Sequence, residues 1–233
     1  MADFCKRINI ICGHYGSGKT NLAVNLAVDL KKQGKDVTLV DLDIVNPYFR
    51  SADFNDSLNE NGIHTISPTY ANTNLDIPAL TADIHAVFGQ KERTVVIDVG
   101  GDDAGAAAMG RYARMVLDDG DYTYLYVINQ YRYLTRTPGE AVEILRDIEQ
   151  ISRLTATGIV NNSNVSYQTT SDTITSSLEY AQTVAQLADI PLVATAYDRR
   201  LEKEIISRGN VPNGYPLDIF VKPPWEEKTN IQL

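Results

Sequence analysis

Arg7-Ile8-Asn9-Ile10-Ile11-Cys12-Gly13-His14-Tyr15-Gly16-Ser17-Gly18-Lys19-Thr20 is the stretch on which the reading of this chain turns. Its first six residues are a short, mostly apolar, β-branched run, the pattern of a buried strand. From Gly13 on, a glycine is separated by four residues from Gly-Lys-Thr, the spacing of a phosphate-cradling loop. Leu22, Ala23, Leu26, Ala27 and Leu30 then repeat at helical spacing, Lys31 and Lys32 fall in the last turn, and Gly34 is placed to end the helix. Strand, glycine loop and helix follow one another in the order the chemistry needs. Glycines let backbone N–H groups approach an anion, and the helix aims its positive end at the same place.

The residue roles follow from that arrangement. Backbone amides from Gly13, Gly16, Ser17, Gly18, Lys19, Thr20 and Asn21 are the expected nucleotide-binding groups. Lys19 is the expected catalytic cation for the β- and γ-phosphates, and the Thr20 hydroxyl is an expected Mg²⁺ ligand.

Composition bounds the rest. The chain has 233 residues, enough for one large α/β domain, and residues 1–233 are read as a single phosphate-loop domain. No apolar run approaches the ~18 residues of a membrane helix. The two cysteines, Cys5 and Cys12, lack metal-site spacing, so the expected setting is reduced and cytoplasmic. A net charge of −9 argues against a broad nucleic-acid footprint. The end, Lys222-Pro223-Pro224-Trp225-Glu226-Glu227-Lys228, is not the basic amphipathic helix of a membrane-surface protein.

Apolar β-branched runs alternate with helical patterns throughout. Strands are expected near 7–12, 37–41, 63–66, 94–98, 123–128, 156–160, 191–195 and 217–221, and helices near 19–33, 76–87, 104–118, 139–150, 173–188 and 199–208. This alternation predicts an α/β fold, a three-layer α/β/α sandwich with a mostly parallel sheet of seven or eight strands. In such sheets ligands bind beyond the carboxyl ends of the strands. The polar stretch Asn161 to Ser177 reads as a loop entering a helix capped near Ser171 or Asp172.

Two further strands end in acids. Val37-Thr38-Leu39-Val40-Asp41-Leu42-Asp43 and Thr94-Val95-Val96-Ile97-Asp98-Val99-Gly100-Gly101 both bring carboxylates to the strand ends where the loop must lie. Asp98 is the candidate to hold the waters of a phosphate-bound Mg²⁺. Asp43 is the candidate to position the attacking water or substrate, with a share in the metal shell, and Asp41 is read as structural. Asp102 and Asp103 are placed to cap the Ala-rich helix that follows.

Together the loop, Asp41-Leu42-Asp43 and Asp98-Val99-Gly100-Gly101 resemble the MinD/ParA and CobQ/CobB group of P-loop NTPases (the SIMIBI class). The resemblance implies ATP with Mg²⁺ and slow hydrolysis coupled to a conformational switch acting on a protein partner. It also implies that an asparagine ending a later strand, here Asn161, reads adenine. Many members carry a lysine after the first loop glycine that reaches the nucleotide of a second subunit. This chain has His14 there, which puts a nucleotide-dependent homodimer in question. Arg50, in Asn46-Pro47-Tyr48-Phe49-Arg50, stands where the group has its first switch segment. Two other functions stay open: a CobQ/CobB-type ligase that uses ATP to activate a small-molecule carboxylate, and a nucleotide-binding interaction module with negligible turnover.

Overall fold

The strand that leads into the loop, β1 (Ile8–Cys12), is buried at all five positions and lies inside the sheet. The structure, a computed structural model, describes residues 4–43, 55–67, 77–209, 211–221 and 231. The segments holding Asn46 to Arg50 and Lys222 to Lys228 lie outside them. In chain order the elements are β1, α1 (Lys19–Lys32), β2 (Val37–Leu42), α2 (Asn55–Glu60), β3 (His64–Ile66), α3 (Ile77–Gly89), β4 (Thr94–Val99), α4 (Asp103–Gly110) and α5 (Ala113–Asp119). There follow β5 (Tyr122–Ile128), α6 (Pro138–Ser152), β6 (Gly158–Asn161), α7 (Ser171–Ser176), α8 (Leu178–Ala188), β7 (Leu192–Asp198), α9 (Glu202–Ser207) and β8 (Gly214–Leu217).

The eight strands pair in the order β3-β2-β4-β1-β5-β6-β7-β8, every pair parallel. Because β1 has β4 on one side and β5 on the other, everything at the carboxyl ends of those three strands faces the loop that follows β1. Side chains alternate between the two faces of the sheet. Ile8, Ile10, Ile97, Tyr124 and Tyr126 pack under α3 to α6 and α8, whereas Ile11, Leu39, Val96 and Val127 pack under α1 and α2. Leu22 and Leu26 of α1 are fully enclosed, each burial contributing about 1.5–3 kcal/mol. The result is the expected α/β/α sandwich, with eight strands all parallel. Among the described residues no helix is long and apolar enough to cross a membrane.

Local chemistry accounts for the element ends. Thr137 and Glu140 cap α6 reciprocally, with Pro138 in its first turn. Asp102 accepts from Gly105 N (2.9 Å) at the start of α4, as its position suggested.

Four expectations need correction. The helix expected over 104–118 divides at Arg111–Tyr112, next to Gly110, where a Cβ would fall 2.9 Å from the Ile151 carbonyl of α6. The helix expected over 173–188 divides at Ser177, whose Oγ donates to Ile174 O (2.8 Å). The cap of α7 is Thr170, not Ser171 or Asp172. The last strand is 214–217, not 217–221: Asn21 and Asn25 of α1 capture the apolar run after it. Asn25 Nδ2 donates to Asp218 O (2.8 Å) and Asp218 N donates to Asn25 Oδ1 (2.8 Å). Phe220 N and Val221 N both donate to Asn21 Oδ1, at 2.9 and 3.1 Å. Those backbone groups are satisfied by side chains and do not extend the sheet.

Candidate nucleotide site

The loop between β1 and α1 is a closed cradle. Gly13 presses on β5, where a Cβ would fall 2.4 Å from the Val127 carbonyl. Ser17 N donates to His14 O (3.2 Å), closing the turn. Gly18 begins α1 with a left-handed φ of 89° and no side-chain cap, so the first N–H groups of the helix stay directed into the loop. A Cβ on Gly18 would also meet Asn162 Nδ2 at 2.2 Å, so a side chain here is disfavoured by both the left-handed φ and the Asn162 amide. That same Nδ2 donates to Ser17 O (2.7 Å), tying the loop to the end of β6.

Lys19 folds back over this cradle, 6% exposed, its Nζ donating to His14 O (3.3 Å). Burial pulls its pKa down, while the nearby carboxylates, Asp98 first and Asp43 next, oppose the shift. The Ser17 hydroxyl is buried with no hydrogen-bond partner among the described residues. An anion seated in the cradle would answer the unpaired Ser17 hydroxyl and the charge of Lys19 together.

Asp98 ends its strand on the α1 face, in register with Asp41 of β2. It is fully enclosed, and neither carboxylate oxygen has a hydrogen-bond partner among the described residues. Burial pushes its pKa up to about 8, Asp41 adds to the rise, and Lys19 and the nearby Thr20 hydroxyl hold it back. A buried carboxylate beside a hydroxyl is a ligand set suited to a hard cation that retains waters. The residues present therefore fit Mg²⁺: the Thr20 hydroxyl as a ligand, Asp98 to hold its waters, and Asp43 beside them. Asp43 N donates to Asp41 Oδ1 (2.9 Å), so Asp41 shapes the turn, as expected of a structural acid.

The segment after β4 rests on the loop. A Cβ on Gly101 would fall 2.7 Å from Lys19 Nζ and 2.7 Å from Tyr15 N and Cα. On Gly100 it would lie 3.2 Å from Asp43 Oδ1, and on Gly105 2.5 Å from Gly100 O. Residues 100–105 thus bridge the phosphate loop, Asp43 and the start of α4.

The CobQ/CobB/MinD/ParA nucleotide binding domain matches residues 8–208 of this sequence. The chain belongs to that family. No curated protein is significantly similar to it in sequence. Its fold is similar to that of the cell division protein FtsY from Thermotoga maritima (TM-score 0.55, 19% identity, 81% of this chain and 60% of that one). It is also similar to FtsY from Mycoplasma mycoides (0.56, 17%, 83% and 61%) and to the signal recognition particle 54 kDa protein from Aeropyrum pernix in complex with GDP (0.52, 16%, 79% and 40%). The chain thus spans about three fifths of the FtsY structures, and at these identities the likeness establishes the fold, that of the P-loop NTPases.

In this family member the expected site residues separate into two groups. Gly13, Gly16, Ser17, Gly18, Lys19, Thr20, Asp43 and Asp98 converge on the carboxyl ends of β1, β2 and β4. Asn21 offers only its backbone N–H, its amide side chain being spent on residues 218–221. Asn161 does not join them. It is fully enclosed, its Nδ2 donates to Ser177 Oγ (2.9 Å), and its Oδ1 accepts from Ser163 N (3.2 Å). It shares a sheet face with Ile159, away from α1. Asn162 is the asparagine that meets the loop. Counting in twos from Val160, which packs beneath α1, points to it. Half-buried His14 is held below its ordinary pKa by burial and then by Lys19, so the position carries no standing charge at pH 7.

Proposed function

We propose that this protein is a single-domain, cytoplasmic, Mg²⁺-dependent ATP-binding protein that hydrolyses ATP slowly and switches the affinity of a protein partner. The observation that carries this reading is the packing of residues 100–105 between the phosphate loop and α4. Gly101 leaves no room for a Cβ beside Lys19 Nζ and the Tyr15 backbone, so the segment lies close over both. A group arriving at Lys19 therefore displaces this segment, and the displacement is delivered to α4 through the Gly100–Gly105 contact.

Lys19 and the amides of 16–20 bind and orient the phosphate chain. Thr20 and Asp98 would hold Mg²⁺, which supplies charge neutralisation at the phosphate oxygens. Asp43, fixed through Asp41, orients the attacking water. Adenine as the base is taken from the family resemblance. Because the Aeropyrum pernix protein was solved with GDP, a guanine arm belongs in the test.

The test is a panel of ATP, ADP, GTP and GDP with Mg²⁺, measuring binding, turnover and molecular mass on the whole chain. The expected result is retention of ATP and slow release of ADP. Asp43→Ala abolishes turnover but keeps binding, and Lys19→Ala loses binding. Failure to retain any purine triphosphate overturns the reading. Tighter GTP than ATP binding overturns the base assignment, and wild-type turnover no faster than Asp43→Ala leaves a binding module.

A further inference from the structure

Arg132 lies against the loop from the side opposite β4. It stands on the turn after β5, where its N donates to Asn129 O (3.1 Å). Its side chain runs along Gly16: a Cβ there would fall 3.4 Å from Arg132 Nε, 3.6 Å from Cδ and 3.7 Å from Cζ. Among the described residues its guanidinium takes part in no hydrogen bond and no ion pair. Arg7, Arg93, Arg146 and Arg199, by contrast, are each paired with an acid.

The turn is held from several directions. Gln130 N donates to Ser163 Oγ (3.0 Å), Thr135 Oγ1 to Asn129 O (2.8 Å) and Tyr131 Oη to Thr173 O (3.1 Å). The fold therefore brings a permanent cation to a place already positive from Lys19 and the start of α1, and sets no carboxylate beside it. Like charges gathered at an anion cradle are relieved when the anion arrives. A guanidinium, planar and many-donored, suits phosphate oxygens in particular.

We propose that Arg132 is a phosphate ligand of the nucleotide site, binding the phosphate chain of a nucleoside di- or triphosphate from the β5 side of the loop, across from Asp98. It rests on the nucleotide reading above. It adds a phosphate-binding residue outside the Gly13–Thr20 motif, one that acts within the same subunit.

The test uses the whole chain and titrates MgATP, MgADP, MgAMP and magnesium pyrophosphate by calorimetry into wild type, Arg132→Ala, Arg132→Lys and Lys19→Ala. Arg132→Ala weakens ATP, ADP and pyrophosphate about tenfold or more and AMP less. It leaves the melting temperature of the ligand-free protein unchanged, and Arg132→Lys recovers part of the loss. If Arg132→Ala binds all four probes as wild type does while Lys19→Ala does not, the nucleotide site stands and this proposal falls. A lower ligand-free melting temperature, with no rescue of affinity by lysine, makes Arg132 a structural residue and equally overturns it. If wild type binds none of the probes, the nucleotide reading fails and takes this one with it.

Discussion

Asp98 holds a fully enclosed carboxylate, and burying that charge costs stability. The sign follows from its pKa, raised from an ordinary 3.8 to about 8. The folded protein keeps a proton there that the unfolded chain releases near pH 4. Stability of the ligand-free protein therefore falls between about pH 4 and pH 8 and is level above. Asp98→Asn is expected to melt higher than wild type at pH 8.5 and to match it near pH 4. The same variant should lose most of the thermal shift given by MgATP; scanning fluorimetry at both pH values, with and without nucleotide, checks both arms. Lys19, Thr20 and Asp98 were legible because motif and strand end are local patterns. Asn162 and Arg132 were not, since each meets the loop from more than a hundred residues away. Asn161 was the asparagine singled out in the sequence, but its neighbour Asn162, on the other face of the sheet, is the one that meets the loop.

At the scale of elements, periodicity located the strands and the long helices but not the places where a tertiary partner overrides it. The run 218–221 has strand composition, yet Asn21 and Asn25 occupy its backbone groups; their own sequence gives no sign of that. The short helix α2 escaped notice because Leu58 is its one buried residue. The junction between α5, β1 and the entry to β4 is charge-based. Arg7 Nε and Nη2 donate to both oxygens of Asp119 (3.0 and 2.5 Å), Lys91 donates to the same carboxylate, and Arg7 Nη1 reaches Arg93 O (3.1 Å). The hydrogen bond from Arg7 holds the Asp119 carboxyl below its ordinary pKa, with help from Lys91. Its contribution is present above about pH 4 and is lost as acid protonates it. Asp119→Asn should cost about 2 kcal/mol at pH 7, with the two proteins converging in acid; urea titrations at pH 7 and pH 3 measure the difference.

For the molecule as a whole, the alternation of strands and helices made the layered architecture readable, and the order of strands around β1 then explains why four distant segments meet in one place. If residues 100–105 relay the phosphate state, hydrogen exchange should slow at 13–20 and 98–106 with MgATP more than with MgADP, leaving α8 unaffected. Identical protection by both nucleotides would remove the switch. The hydrogen bond from the Asn162 side-chain amide to the Ser17 carbonyl spans 145 positions, and it bears on how the molecule is made. A nascent chain halted before β6 already carries every letter of the glycine-rich signature, yet lacks the strut that sets its curvature. Competence to capture ligand should therefore arise late in synthesis, only after the sixth strand has taken its place.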